Sequence, residues 1–369
     1  MNSNHCYVDL HVLQPLPPSC VNRDDTGSPK TAIYGGTARA RVSSQAWKHA
    51  MRLMFGQLFS KEDLAQRTKL PQDLVSEEIA ALDSSLDGKK LAKAVLKNAG
   101  IKIDDKKEQT DALLFISYAQ AAALAKLAVE HANHPEEDDK FYKESCKIAL
   151  KENPSFEIAL FGRMVASDPS LNYDAAAQVA HSISTHTVHN EYDYFTAVDD
   201  RAGDDTSGAA HLDTTEFNSS TLYRYATVNV TELQKSLGEM TPEVVADFAK
   251  AFFLSMPTGK QNSFANRTLP DLAYVTVRTD QPVNLVGAFE NPVKAGGDGY
   301  GLASEKRLVE YAQKTYRQFV SEPIASYGIG GNEPLQQLVG KEHVLALDDL
   351  LTQLKDEITV KEREIEEAE

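Results

Sequence analysis

The chain has 369 residues, 42% hydrophobic and 25% charged, the balance of a globular protein with one large core or two modest ones. No run of eighteen apolar residues occurs, which excludes an ordinary membrane-spanning helix, and the N-terminus lacks the basic start and apolar centre of a signal peptide. A net charge of −16 excludes a uniformly basic nucleic-acid binder, so the distribution of charge matters more than its total.

That distribution is uneven. Residues 20–52 hold Arg23, Lys30, Arg39, Arg41, Lys48 and Arg52 against Asp24 and Asp25, a local excess of +4. Residues 191–215 and 348–369 each carry −6. Phosphate binding responds to the field within about 10 Å at moderate salt, so a basic patch can work on an acidic protein. Cys6, Cys20 and Cys146 form no CxxC pair. Neither a disulfide framework nor a zinc ribbon is expected, and a reducing, cytoplasmic setting fits.

In chain order, Tyr7 to Leu13 alternates as a strand, with Val8, Leu10 and Val12 on one face and Tyr7, Asp9 and His11 on the other. The following PLPPSCVNRDDTGSPK is rich in turn formers and too polar for a core. Thr37 to Val42 reads as a short extended segment with Arg39 and Arg41 on one face. A helix is expected from Ser43 or Ser44, both good N-caps. Residues 57 to about 152 read as a helical insertion, with Gly100 as a C-cap and a long Ala-rich helix from Leu113 to Ala132.

Strand character is expected again at Ile158–Met164 and at Gln178–Val188. The acidic stretch 190–220 is too long for a tight turn and is expected to project as an arm. Thr221–Val230 and Leu272–Val277 read as strands. Pro242–Met256, Glu305–Phe319 and Val344–Ile358 read as helices, the first with Val244, Val245, Phe248, Phe252 and Phe253 on its core side; the final KEREIEEAE is expected to fray. Strands interleaved with helices predict an α+β fold, one economical version being a βαββαβ sheet of the RNA-recognition-motif type.

The segment RARVSSQAWKHAMRLMF, residues 39–55, carries the most chemistry. On a helix from Ser44, the residues Trp47, Ala50, Met51, Met54 and Phe55 form a buried stripe, leaving Gln45, Lys48, His49 and Arg52 on the other side. The helix start offers free amides, its positive dipole end and the hydroxyls of Ser43 and Ser44. Lys48 and Arg52 add charge one and two turns on. Together these suit phosphates and do not read bases. The same pattern also fits a capped amphipathic helix with a solvated basic face. Lys30, Arg39 and Arg41 could line the same groove, with Met164, Tyr194 and Phe195 as wedges between bases; ordinary packing is the rival account of all three and, for Met164 taken singly, the better one. Lys260, in a Thr-Gly-Lys loop, is a further candidate contact.

The segments SCVNRDD (19–25), AIYGG (32–36), RVSSQAWKHAMR (41–52), ALFGRM (159–164), AHSISTHTVHNEYDYFTAVDD (180–200), GAAHL (208–212) and LYRYATVNV (222–230) resemble the CasC family, the backbone subunit of the type I-E CRISPR surveillance complex, Cascade. The match runs through most of the chain in the same order.

The resemblance implies an RNA-recognition-motif-like (ferredoxin-like) palm with a helical fingers insertion and a β-hairpin thumb. The palm would take residues 1–56 and 156–369, the fingers 57–155, and the thumb about 190–220. It implies several copies in a helical filament along one CRISPR RNA, presenting the guide for pairing with target DNA beside other Cascade subunits in antiviral defence. By motif position, Lys30, Ser43, Gln45 and Lys48 would contact the RNA backbone and Arg23 would sit on the loop approaching it. Arg163 and Met164 would lie under a kink, and Phe195, Thr196 and Val198 would belong to the thumb. His49 stands where the family often has a basic residue, which weakens that contact near neutral pH. No cofactor, metal, membrane partner or catalytic activity is implied.

Three rival readings remain at this level. Asp24 and Asp25 could hold a divalent ion in a metal-dependent ribonuclease, although adjacent aspartates in such a loop are also ordinary turn formers. His181, His186, His189 and His211 could bind zinc, yet no HExxH occurs, and His186 and His189 would point to opposite faces of a strand. A scaffold that binds only proteins is the third.

Overall fold

In this computed structural model, residues 5–134, 139–165, 167–197 and 211–366 are described. In chain order they form β1 (Tyr7–Ser19), β2 (Thr31–Tyr34), β3 (Thr37–Val42), α1 (Ser44–Leu58), β4 (Ala65–Thr68), α2 (Pro71–Leu82), α3 (Gly88–Asn98), β5 (Leu114–Ser117), α4 (Tyr118–Asn133), α5 (Asp139–Lys151) and α6 (Phe156–Phe161). Then follow β6 (Ala177–Val179), β7 (Ser182–Ser184), β8 (Glu191–Ala197), β9 (His211–Asn229), α7 (Val230–Leu237), α8 (Thr241–Leu254), α9 (Gln261–Phe264), β10 (Leu272–Arg278), α10 (Gly301–Gln318), β11 (Ala325–Gly330), α11 (Glu333–Val339) and α12 (Leu347–Glu366). The α+β class is as the interleaving of patterns predicts. None of the described helices is long and apolar enough to cross a membrane.

The chain divides into two compact units. One comprises Met1–Met51, Val179–Thr227 and Val245–Glu369; the other comprises Arg52–Gln178 and Val228–Val244.

The first unit is built on a sheet with strand order β11-β10-β1-β9-β7-β3-β2. β1 pairs antiparallel with β10 from Tyr7↔Arg278 to Leu13↔Leu272. It runs on to Ser19 through Pro15, Pro17 and Pro18, where the sequence predicts turns. Proline cannot donate to a ladder, and these three lie beyond the pairing with β10. Both faces of β1 are covered. Val8, Leu10 and Val12 are fully buried, and so are Asp9 and His11 on the polar side. The aromatic cluster of Tyr223, Tyr225, Tyr274, Phe289 and Tyr316, with Leu308 and Ala312 of α10, belongs to this unit's core. Asp9 accepts from the Tyr225 hydroxyl at 2.8 Å and the Val283 amide at 2.9 Å, and His11 Nδ1 meets the Tyr223 hydroxyl at 2.9 Å.

β2 and β3 close through Gly35 and Gly36, both at positive φ (58° and 76°), as a two-residue hairpin turn of the right twist requires. A side chain at Gly35 would also strike the carbonyl oxygen of Glu290. Trp47 of α1 is 1% exposed and donates Nε1–H to Ser182 Oγ at 2.9 Å. The Arg224 guanidinium lies 3.7 Å from the Trp47 ring centroid and donates to Gln14 and to the Phe252 carbonyl. Burying such a ring is worth roughly 3 kcal/mol.

β8 and β9 pair from Glu191↔Phe217 to Ala197↔His211, so the expected acidic arm is a hairpin where it is described. Val198, with the rest of 198–210, lies outside the described residues. The predicted strand over 178–188 is broken at Ala180 and His181 into β6 and β7, and it ends at Ser184, beyond which His186 accepts the Thr221 amide on Nε2. The C-terminal segment expected to fray is helical to Glu366, with Ile365 buried.

The second unit packs α2, α3, α4 and α5 around Val75, Ile79, Val95, Leu96, Ile116, Leu124, Cys146 and Leu150. It is not wholly helical. β4 and β5 pair from Ala65↔Ser117 to Thr68↔Leu114, so the predicted helix from Leu113 begins only at Tyr118. Ser117 and Gln120 form a reciprocal capping box that sets this start. Gly100 ends α3 at φ +93° with Ile101 N–H donating to the Leu96 carbonyl, as expected of a C-cap. Ile158–Met164, read as a strand, begins inside helix α6: Ser155 caps it by accepting the Ile158 amide, and Gly162 at φ +75° stops it.

Candidate nucleic-acid interface

The basic patch is assembled around one asparagine of the first unit. Asn22 O accepts the Lys30 amide at 2.9 Å, and Lys30 O accepts the Arg41 amide at 2.9 Å. Asn22 Oδ1 accepts the Ser43 amide, also at 2.9 Å. Three hydrogen bonds therefore bring Arg23, Lys30, Arg41 and the start of α1 to one place.

The intervening loop is folded by Asp24. Its Oδ1 accepts from Thr26 N (2.9 Å), Thr26 Oγ1 (2.7 Å) and Ser28 N (3.0 Å). The Thr26 hydroxyl and these amides hold the Asp24 carboxyl below its usual range. Asp24 is therefore a turn former. The ribonuclease reading would have to draw on Asp24 Oδ2 and Asp25, because Oδ1 already has three donors.

At the helix start, Ser43 is buried and its Oγ accepts the Ala46 amide at 3.2 Å, so its hydroxyl serves first as the cap. Ser44 and Lys48 are half-buried, and Gln45 and His49 are exposed. The first amides of a helix have no intrahelical acceptor and carry its positive end. Lys260 approaches from another element. Gly259 packs so tightly on Val21 that a Cβ there would lie 2.3 Å from the Val21 carbonyl oxygen. Lys260 follows at φ +50°. Burial raises the Cys20 thiol pKa, and the charges opposing that rise are Arg23 and Lys260, which places both near Cys20. The patch thus gathers Arg23, Lys30, Arg41 and Lys260, with Lys48 one turn into α1, against Asp24, Asp25 and Glu216.

Sequence spacing could not show that His181 belongs to this cluster. Arg41 donates Nε–H to the Thr31 carbonyl at 3.1 Å and sets Nη1 3.1 Å from His181 Nδ1. Burial, Arg41 and Lys30 together hold the His181 ring below its usual pKa.

Three candidate arginines are engaged inside the protein. Arg39 is fully buried; its guanidinium donates to Thr37 Oγ1 and to the carbonyls of Ser184, Phe289 and Glu290. Arg52 is bound to Glu157 at 2.6 Å and to the Ala65 carbonyl at 3.2 Å. Arg163, 4% exposed, clamps the second unit from inside, donating to the carbonyls of Leu150, Phe115 and Leu171 and to Gln120. Desolvation pulls its pKa down to about 10, yet it remains charged near neutrality. Arg163 has no donor left for a phosphate and Arg52 has its charge paired with the buried Glu157, which corrects the reading of Arg163 as an RNA contact and of Arg52 as patch charge.

The wedge candidates are exposed. Met164 is 81% exposed beside a cavity of about 310 Å³ lined in part by Ile101, Leu113 and Val165. On β8, Tyr192, Tyr194, Phe195 and Thr196 are exposed. The zinc reading finds no constellation among the described residues, which hold no group of three or more His, Cys, Asp or Glu able to bind a metal. His186 spends Nδ1 on the Thr187 carbonyl and Nε2 on the Thr221 amide, and stacks on Tyr300 at 3.6 Å.

Residues 8–356 match the family described as CT1975-like protein. Two solved structures are similar over nearly the whole chain. One is a chain of a "CRISPR RNA-guided surveillance complex, pre-nicking", 31% identical, covering 94% of this chain and 100% of that one, with a TM-score of 0.77. The other belongs to a "CRISPR RNA-guided surveillance complex", 28% identical, covering 94% and 99%, with a TM-score of 0.59. No curated protein matches. With a family match across most of its length, the chain belongs to the CT1975-like protein family.

Proposed function

We propose that this chain is a backbone subunit of a CRISPR surveillance complex, Cascade of type I-E, and that it grips the phosphates of a CRISPR RNA without reading its bases. The observation that carries this is the Asn22 junction, where amides, hydroxyls and cations from four segments converge. Such contacts recognise any sequence equally, leaving specificity to pairing between guide and target DNA.

Strand order supports a palm of the RNA-recognition-motif type. Along the path β1–α1–β7–β9–α8–β10 the sheet runs β10-β1-β9-β7, the 4-1-3-2 order of a βαββαβ unit. The helical segment 57–155 is then the fingers and the β8–β9 hairpin the thumb, with Met164 and Phe195 as wedges. Copies stack along the guide in a cytoplasmic filament with other Cascade subunits, and the chain catalyses no step itself. The proposed contacts are Arg23, Lys30, Arg41, Ser43, Ser44, Gln45, Lys48, His49 and Lys260; Arg52 and Arg163 are not among them.

The test is co-expression with a CRISPR RNA, followed by RNase footprinting and measurement of RNA retention against salt. Evenly spaced protection is expected. Replacing Lys30, Arg41 and Lys48 with alanine should lower the slope of log affinity against log salt by about 2, at roughly 0.7 per lost single-strand contact. An unchanged slope and footprint would overturn the proposal.

A further inference from the structure

We propose that His181 is an additional contact to the guide backbone, and that it takes up a proton as a phosphate arrives. This rests on the phosphate-gripping reading of the Asn22 junction.

The geometry is specific. His181 occupies the link between β6 and β7, held on both sides. The Ala180 amide donates to the Tyr225 carbonyl at 2.9 Å, and Ser182 Oγ receives Trp47 Nε1–H at 2.9 Å. The ring between these anchors is exposed and faces Arg41. A guanidinium has donors only, so at 3.1 Å His181 Nδ1 is the acceptor, and the neutral ring carries its hydrogen on Nε2. An imidazolium has no acceptor and could not keep this bond. The charges acting on the ring are Arg41 on β3 and Lys30 at the start of β2, both cations.

A phosphodiester entering the cluster reverses each of these conditions. Its negative charge offsets Arg41 and Lys30, and its oxygens compete for the Arg41 N–H groups, for which phosphate is a strong acceptor. Nδ1 is then released. The ring binds a proton from solvent at that nitrogen and becomes a cation donating to the phosphate. The free protein thus keeps Arg41 oriented through a neutral histidine, and the bound protein gains one more positive charge. If the pair served only to orient Arg41, binding would take up no proton at this position.

The experiment uses the full chain and a mixed-sequence single-stranded RNA with a pH-insensitive dye, at constant ionic strength. From about pH 6 to about pH 8 the parent's affinity should fall about threefold or more, bounded by tenfold for each unit by which binding raises the ring's pKa. Calorimetry in two buffers of different ionisation heat should show proton uptake. His181→Asn supplies an amide oxygen for Arg41 but cannot titrate, and should flatten the pH profile and abolish the uptake. His5→Gln, which removes an exposed histidine at the opposite end of β1 from Cys20, should leave both intact. The proposal is overturned if His181→Asn keeps the parent's pH slope and proton count, or if the parent shows neither. Should Lys30→Ala/Arg41→Ala bind RNA as tightly as the parent, the phosphate reading itself fails, whatever His181 does.

Discussion

Asn22 and Ser43, twenty-one positions apart, are joined by a 2.9 Å bond from the Ser43 amide to the Asn22 side-chain oxygen. The bond orients the start of α1 and anchors the loop carrying Arg23. Asn22→Ala should cost about 1 kcal/mol of stability, the net worth of one such bond, and weaken RNA binding several-fold. Asn22→Asp keeps an acceptor for the amide while adding a negative charge. It should hold stability near the parent's and weaken binding more than the alanine variant does. Denaturant melts and RNA titrations of the two variants check this, and parental affinity in both would contradict the junction's role.

Arg52 separates stability from binding. Glu157 is buried, and its carboxylate accepts from Arg52 and from the Ala65 amide at 2.6 Å each. Arg52→Ala leaves that carboxylate short of its charge partner. A loss of about 2–4 kcal/mol is expected by urea denaturation, somewhat under the full buried-pair figure because Arg52 is partly exposed. RNA affinity measured well below the melting temperature should not change.

Neighbouring Arg163 and Met164 should behave in opposite ways. Arg163→Met removes the donors serving three backbone carbonyls and Gln120, and a loss of about 3 kcal/mol or more is expected in equilibrium unfolding. Met164→Ala removes an 81% exposed side chain and should stay within about 0.5 kcal/mol of the parent while reducing the regularity of the RNA footprint.

Asp9 and His11 set opposing pH dependences. Burial pushes the Asp9 carboxyl up to about 6 and the His11 ring down to about 3. Between pH 6.5 and about 3 the unfolded chain binds a proton at His11 that the folded chain refuses. That contribution is present above 6.5 and is lost as pH falls. Between about 6 and 3.8 the folded chain holds a proton on Asp9 that the unfolded chain releases, so this contribution grows as pH falls. The two nearly cancel from pH 6 to 4. Asp9→Asn removes the counterweight, and its stability relative to the parent should fall by about 1.4 kcal/mol per pH unit in that window. Parallel stability–pH curves for parent and variant would rule this out.

Local signals carried far. The 3.6-residue stripe of α1, the core face of α8 with Phe248 and Phe252, the C-cap at Gly100 and the strand at β10 each depend on neighbours within a few residues. Those neighbours are written in the chain. Where a short apolar run suits either structure, as at Ile158–Met164, the period decides nothing; Ser155 and Gly162 settle it through a cap and a positive φ.

Arg39 and Arg41 mark the limit. They lie two residues apart on one strand, facing the same way, and sequence treats them alike. Tertiary structure does not: the carbonyls of Phe289 and Glu290 close over Arg39, while the half-exposed Arg41 side chain meets the Thr31 carbonyl and the exposed His181 ring. The amino-acid sequence alone determined most of the elements and the concentration of positive charge, because both follow from short-range spacing. Only the folded chain decided which of those charges stay exposed, because desolvation and pairing are set by residues up to 251 positions away.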